Sequence, residues 1–511
     1  MWQLRSSRTP VLLTATLAFV VGCVLPPLWM LSTILRPGGG QSALRDVVLD
    51  TRQQGLLYTT LLLGVGTSVL ATLAGGALGL ALARIRLPFK APLRIALVAP
   101  AVLPPYVMAL AWSYLAGSIA FTVWGAIAVL TSALYPLSML ATEVALRQID
   151  PRLEEAALLA ASPARVLHRI TGALALPTVV SAALIVFVLA ISDFSVPAVL
   201  LVRVFTTEVF SAFAALYDSG RAMILSLPLV ILSSLVAAAA TVALGNRRVT
   251  TRRAHGGRPV AAFDSWRLTA TVTVCMAIVL VLILPLMALV REALRLPSVG
   301  QAIGGSREAV VNSLVLALIG ATVVTTLAAG VGYARAHATA TMGAAVDALW
   351  VVLFAVPSTV VGIGLIGIWN RSDAFGLYGT RAMLVLAYVA RFVPVGALAL
   401  AAIVRAVPQS HEEAAAVAGA GWLRTITHIV LPQIRVGLLA VWVITFILAF
   451  GEVGASILVA PPGESTLPIR VYTLTANAPP GHVAALALFQ SFVILIPLTL
   501  LGLVFARRSG S

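Results

Sequence analysis

The chain has 511 residues, 60% of them hydrophobic and 10% charged, with a mean hydropathy of +1.03. A soluble domain averages about 45–50% apolar and roughly 25% charged residues, so the surplus must face lipid. That excludes a disordered chain, a disulfide-built secreted domain and a typical cytosolic enzyme. The net charge of +16 reads as arginine in cytoplasmic loops rather than as a nucleic-acid surface.

Apolar runs of about 20 residues, enough to cross a hydrocarbon core, fall at 11–35, 57–83, 95–116, 119–142, 176–200 and 222–245. A second set falls at 268–293, 312–334, 346–369, 382–404, 433–458 and 482–506. The pattern predicts an all-α membrane protein of twelve transmembrane helices in two homologous six-helix halves. The first run is too long for a signal-peptide core, and no small-residue cleavage site follows it. Cys23 and Cys275 each lie within an apolar run and read as small buried hydrophobes.

With the N-terminus cytoplasmic and alternation at every span, 22 Lys and Arg fall on the cytoplasmic side and 11 on the other. This places both termini in the cytoplasm. The basic stretch 246–267, containing NRRVTTRRAHGGRP, reads as a solvated cytoplasmic linker between a first half (1–245) and a second (268–511).

Two cytoplasmic loops, 150–177 and 410–432, are too long and too polar to be plain connectors. At an offset of 259 they superpose, pairing Glu154 with Glu413, Ala160 with Gly419 and Ile170 with Ile429. The register runs on into the following span, where Asp193 lies on Glu452. Earlier segments match at an offset of 253, with Thr60 on Ser313, Gly79 on Gly332 and Pro104 on Pro357. The halves begin on the same side, as parallel repeats do. Residues 413–419 read as a short small-residue helix with acids near its start, broken by Gly419-Ala420-Gly421. Such a helix can lie across the inner face and enter a partner's groove.

The run Glu413-Ala414-Ala415, three residues, Gly419, nine residues, Ile429, one residue, Leu431-Pro432 resembles the EAA loop of type I ATP-binding-cassette importer permeases. The first loop matches less fully: Glu154 and Ala156 keep register, Glu155 and Ala160 replace Ala and Gly, Ile170 is kept, and Pro177 arrives late. The resemblance implies that these residues form coupling helices on two copies of an ATPase subunit. It also implies an outer-face solute-binding protein that delivers the substrate, and a bacterial inner-membrane location. Its fused length is similar to ferric-iron or thiamine permeases; ferric iron is the expected cargo, with thiamine, polyamine, phosphonate and sulfate as alternatives. The one lysine, Lys90, follows Phe89, so there is no GK[ST] phosphate loop. No cofactor is expected on this chain, and ATP and Mg belong on the partner. A secondary transporter driven by an ion gradient gives no reason for the two long loops.

Ionisable residues within spans carry functional weight. Asp193 and Glu452 lie 23 residues after Ile170 and Ile429. They either line a path, where hard oxygens suit ferric iron or an organic cation, or cap breaks in their helices or hydrogen-bond inside the bundle. Arg391 either lines that path or pairs inside the bundle. His168 and His428 read as solvated loop histidines.

Overall fold

The computed structural model describes residues 2–34, 51–245, 261–296, 299–371 and 376–509. Most of the basic linker at 246–267 lies outside the described residues; Ala261–Trp266 forms a short 3-10 helix. The first series of helices is α1 (Pro10–Met30), α2 (Thr51–Arg84), α3 (Lys90–Val102), α4 (Pro105–Ala116), α5 (Val123–Arg147), α6 (Pro151–Leu158), α7 (Pro163–Ser192), α8 (Ser195–Val199) and α9 (Ser219–Ala243). The second is α10 (Arg267–Ala293), α11 (Arg307–Ala336), α12 (Ala340–Ala355), α13 (Ser358–Trp369), α14 (Ala382–Arg405), α15 (Gln409–Val417), α16 (Trp422–Phe450), α17 (Ser456–Val459) and α18 (Pro480–Gly502). No strand occurs among the described residues.

Among the described residues, ten helices are long and apolar enough to cross a membrane, and two bent pairs bring the number to as many as twelve. The spans predicted at 95–116 and 346–369 are these pairs, α3–α4 bent by 97° and α12–α13 by 94°. The cause is local. Leu103 and Val356 each precede a proline, which forces them into extended backbone and ends the helix there. The spans predicted to reach 200 and 458 also stop early, at Ser192 and Phe450. The 20 residues from Ala173 to Ser192 already rise about 30 Å, the depth of a hydrocarbon core. Asp193 therefore comes at the far end of its span rather than at its middle.

The chain packs as two compact units, each drawing on both halves of the sequence. One contains Asp50–Thr207, Ile231–Ile303 and Leu474–Ser511. Its centre is the crossing of α2 and α5, with α7 against both. Gly75 and Gly79 make that crossing close: a Cβ at Gly79 would lie 2.5 Å from the Met139 carbonyl oxygen. Small residues let membrane helices approach in this way. The π turn at Val279–Ile283 and the rest of α10 pack onto this core.

The other unit contains Met1–Leu49, Glu208–Val230 and Gly304–Thr473. Its centre is the crossing of α11 and α14, with α16 against both. Gly332 plays the part of Gly79 here, since its Cβ would lie 3.1 Å from the Ala397 carbonyl oxygen. The leading helix α1 belongs to this unit, with Gly22 against Val389 and Ala15 against Gly330. The sequence halves thus describe a repeat of elements, whereas the packing assigns each leading span, α1 and α10, to the core built from the other half.

The repeat extends to single hydrogen bonds. The Thr60 hydroxyl accepts from the Phe205 N–H at 3.2 Å, and the Ser313 hydroxyl accepts from the Leu467 N–H at 2.5 Å. Both long loops enter their next span through a π turn, at Leu167–Gly172 and at Ile426–Val430.

Candidate coupling loops and helix breaks

The first loop is built from its caps. The Asp150 carboxylate accepts from the Arg152 N–H at 3.0 Å and Pro151 takes the first helical position, which starts α6 firmly. Glu154 then falls in the first turn and points inward. It is wholly buried, as is Arg84, the last residue of α2, and the Arg84 Nε lies 2.9 Å from Glu154 Oε2. Thr171 Oγ1 donates to Oε1 at 2.7 Å. Arg84 Nη2 donates to the Leu146 carbonyl at 2.7 Å and the Ile149 carbonyl at 3.4 Å. These carbonyls lie at and just beyond the end of α5. One guanidinium therefore joins α2, α5 and α6. Glu155, Ala156 and Ala160 are exposed, Ile170 is half-buried, and the Leu159 side chain is 91% exposed at the tip of the loop.

The second loop repeats the plan with different chemistry. Glu412, in the first turn of α15, accepts from the Tyr333 hydroxyl at 2.7 Å and lies 3.2 Å from His337 Nε2. His337 is the residue that ends α11, as Arg84 ends α2. Tyr333, Val404, Trp422, Val430 and Ile434 form the apolar floor beneath. Glu413 and Ala414 are exposed, Ala415 is buried, and Val417 is 91% exposed. Gly419 closes the helix at φ 76°, with the Ala420 N–H bonding back to the Ala415 carbonyl at 2.9 Å. A left-handed residue favours glycine, and this helix ending needs one. Ile429 is half-buried, and Leu431 and Pro432 are exposed at the entry to the span.

This geometry corrects the register of the loops. The buried acid Glu154 corresponds to Glu412, and the exposed acid Glu155 corresponds to Glu413. The sequence doublets Glu154-Glu155-Ala156-Ala157 and Glu412-Glu413-Ala414-Ala415 superpose directly. The first loop therefore keeps an acid-Ala-Ala run, at Glu155-Ala156-Ala157. Beyond the helices the second loop is one residue longer, which the left-handed turn at Gly419 takes up; from there the offset of 259 holds, with Ile170 on Ile429. Sequence reasoning assigned no site role to Arg84, His337, Tyr333, Glu412 or Leu159, and it placed Val417 on a helix stripe without marking it as a contact. The paired acidic doublets are the signal that points to them.

The span residues are engaged locally. Asp193 follows the end of α7, where its carboxylate accepts from the Val196 N–H at 2.8 Å and the Ser195 hydroxyl at 3.2 Å. It thereby caps α8. Glu452 is buried and accepts from the N–H groups of Ala455 and Ser456 at 2.9 Å and from the Ser456 hydroxyl at 2.6 Å, capping α17. Arg391 on α14 donates to the Val356 carbonyl at 3.3 Å, at the α12–α13 break. Its guanidinium lies 5.9 Å from the Phe392 ring. Cys23 is buried and donates to the Val389 carbonyl, whereas Cys275 is exposed on α10, contrary to expectation; both are free thiols. His168 and His428 are exposed, and no group of three or more metal-ligating side chains occurs among the described residues.

Residues 327–509 match the model of the binding-protein-dependent transport system inner membrane component. The chain is 23% identical to a ferric-iron transport system permease of Haemophilus influenzae, over 97% of this chain and 98% of that protein. It is 35% identical to an ABC transporter permease of Streptomyces antibioticus, over 35% of this chain and 79% of that one. It is 26% identical to a 2-aminoethylphosphonate transport permease of Salmonella paratyphi A, over 30% of this chain and 56% of that one.

Proposed function

We propose a function from one premise: the chain belongs to the binding-protein-dependent transport inner membrane component family. It is a transport permease of the membrane rather than an enzyme, and such permeases work with an ATPase and a solute-binding protein. Beyond that coarse role, the reading is a fused permease that docks two ATPase subunits, one on α6 and one on α15. ATP and Mg stay on those subunits, a binding protein delivers the cargo to the outer face, and both termini lie in the cytoplasm.

The observation that carries the docking role is the matched exposure of Leu159 and Val417. Each is an apolar tip on a short helix, and each helix is tethered through the turn before it to the end of a long core helix. An exposed apolar side chain on a rigidly held helix is a natural anchor for a partner's groove. A push on either tip is passed through Glu154 or Glu412 to α2 or α11.

Ferric iron is the proposed cargo, supported by a resemblance that runs the whole length of both chains. The phosphonate permease matches over a much shorter stretch. Asp193 and Glu452 are proposed to hold the helix breaks at the far ends of α7 and α16, with Arg391 holding the α12–α13 break. The test is reconstitution with the neighbouring ATPase and binding protein in proteoliposomes. ATP-dependent uptake of radiolabelled ferric iron, undiminished by excess 2-aminoethylphosphonate, is the expected result. Uptake of the phosphonate instead overturns the cargo, and uptake driven by an ion gradient without ATP overturns the role.

A further inference from the structure

We infer that His337 is a proton-dependent clamp that positions the coupling helix α15, whereas its counterpart Arg84 holds α6 at every physiological pH. The inference deepens the reading of α15 as an ATPase-docking helix and rests on it.

Each ring nitrogen of His337 faces an oxygen. Nδ1 lies 2.9 Å from the Tyr333 carbonyl oxygen, and Nε2 lies 3.2 Å from the Glu412 carboxylate. Both neighbours are acceptors. A neutral imidazole carries a single N–H and can satisfy one of them, leaving its other lone pair against an oxygen; the imidazolium satisfies both. Glu412 is likewise arranged as an acceptor, since its second oxygen takes the Tyr333 hydroxyl at 2.7 Å. The Tyr333 ring lies 4.3 Å from the imidazole and fixes its position.

The repeat supplies an independent argument. The same place in the other unit holds Arg84 against Glu154, a cation with no accessible neutral form. Arginine in one copy and histidine in the other can each present a cation to the acid, and only the histidine has an accessible neutral form. His337 is an exposed residue whose side chain keeps 22% of its surface open, and it lines a polar cavity of about 240 Å³ with Arg405, Gln409 and Glu412, so protons can reach it. The charged and titratable groups around it among the described residues are Glu412 on α15, Arg405 at the end of α14, and Tyr333 and Arg335 on its own helix. Arg335 is held by Asp347 of α12 at 2.6 Å, and α16 presents the Trp422 ring.

The sign follows. Histidines change charge between about pH 5 and 8. The ion pair is present when His337 is protonated and is lost as pH rises. Acidic cytoplasm therefore tightens α15 against α11, alkaline cytoplasm loosens it, and the first loop does not respond.

The experiment uses the full chain in lipid nanodiscs, with a spin label at Val417→Cys in a Cys275→Ser background. The mobile fraction of the label should rise by about threefold or more between pH 6 and pH 8, the ratio that one net hydrogen bond confers. His337→Arg should flatten that profile at low mobility, and His337→Gln should be mobile at both values; His337→Lys is a second cationic variant. A wild-type label that is equally mobile at both pH values, or a His337→Arg protein that keeps the pH step, overturns the clamp. A pH step in the label, together with no ATP-driven uptake by the unlabelled wild-type complex, leaves the clamp standing and overturns the importer reading instead.

Discussion

Arg84 and Glu154 are 2.9 Å apart, and neither side chain has any exposure to solvent. A buried pair of this kind adds little net stability over a well-packed apolar substitute, but removing one partner leaves an uncompensated buried charge. Arg84→Ala should cost about 3–5 kcal/mol, and Glu154→Gln should cost less: it orphans the Arg84 cation, but that cation keeps the Leu146 and Ile149 carbonyls and the amide oxygen still accepts hydrogen bonds. Thermal unfolding of the purified variants checks the order. Equal loss in both would mean that the pair is not the element that ties α2, α5 and α6.

The glycine contacts make a second prediction. Gly79 and Gly332 each face a carbonyl oxygen of the helix they cross. Gly79→Val should separate α2 from α5 and lower stability by about 1–3 kcal/mol, the usual cost of overpacking. Gly76 has nothing within 4 Å of its Cβ position, and Gly76→Val should leave the fold unchanged. Melting temperatures of the pair decide it.

Capping and path-lining roles for Asp193 and Glu452 part company in conservative variants. Asparagine caps a helix about as well as aspartate, so Asp193→Asn should fold normally and transport normally, while Asp193→Ala should cost about 1 kcal/mol through loss of the cap. Loss of uptake in a stably folded Asp193→Asn, Glu452→Gln double variant would return both carboxylates to the path.

Gly419 distinguishes the two loops. Its φ of 76° penalises any side chain, so Gly419→Ala should destabilise the end of α15 by about 1 kcal/mol. Hydrogen exchange over 409–421 should quicken accordingly. Ala160→Gly should have no comparable effect, because α6 ends without a left-handed residue.

Much of this was legible in the sequence. Lipid-facing composition, the number of helical runs and the duplicated loops follow from hydrophobicity and polar length, and those are one-dimensional properties. The shared register of Gly79 and Gly332 was also visible, although not the helix crossings they make. The rest depended on three dimensions. The bends at Leu103 and Val356 come from a following proline, yet each run keeps the apolar length of a straight span. The packing of α1 and α10 onto the core of the other half leaves no periodic trace, because both helices are apolar on most faces. The loop register slipped by one residue because a gapless offset cannot represent the extra residue at Gly419. Arg84 and His337 lie some 70 residues before the acids they hold, and nothing local links them.

The central claim is that two exposed helix tips receive force from a separate motor. The most direct test is ATP-driven uptake by the reconstituted complex carrying Leu159→Asp and Val417→Asp together. Both side chains are 91% exposed, so the fold and melting temperature should be preserved. The account predicts that this variant fails to retain the ATPase and loses ATP-driven uptake. A double variant that binds the ATPase and transports like the wild type would contradict it.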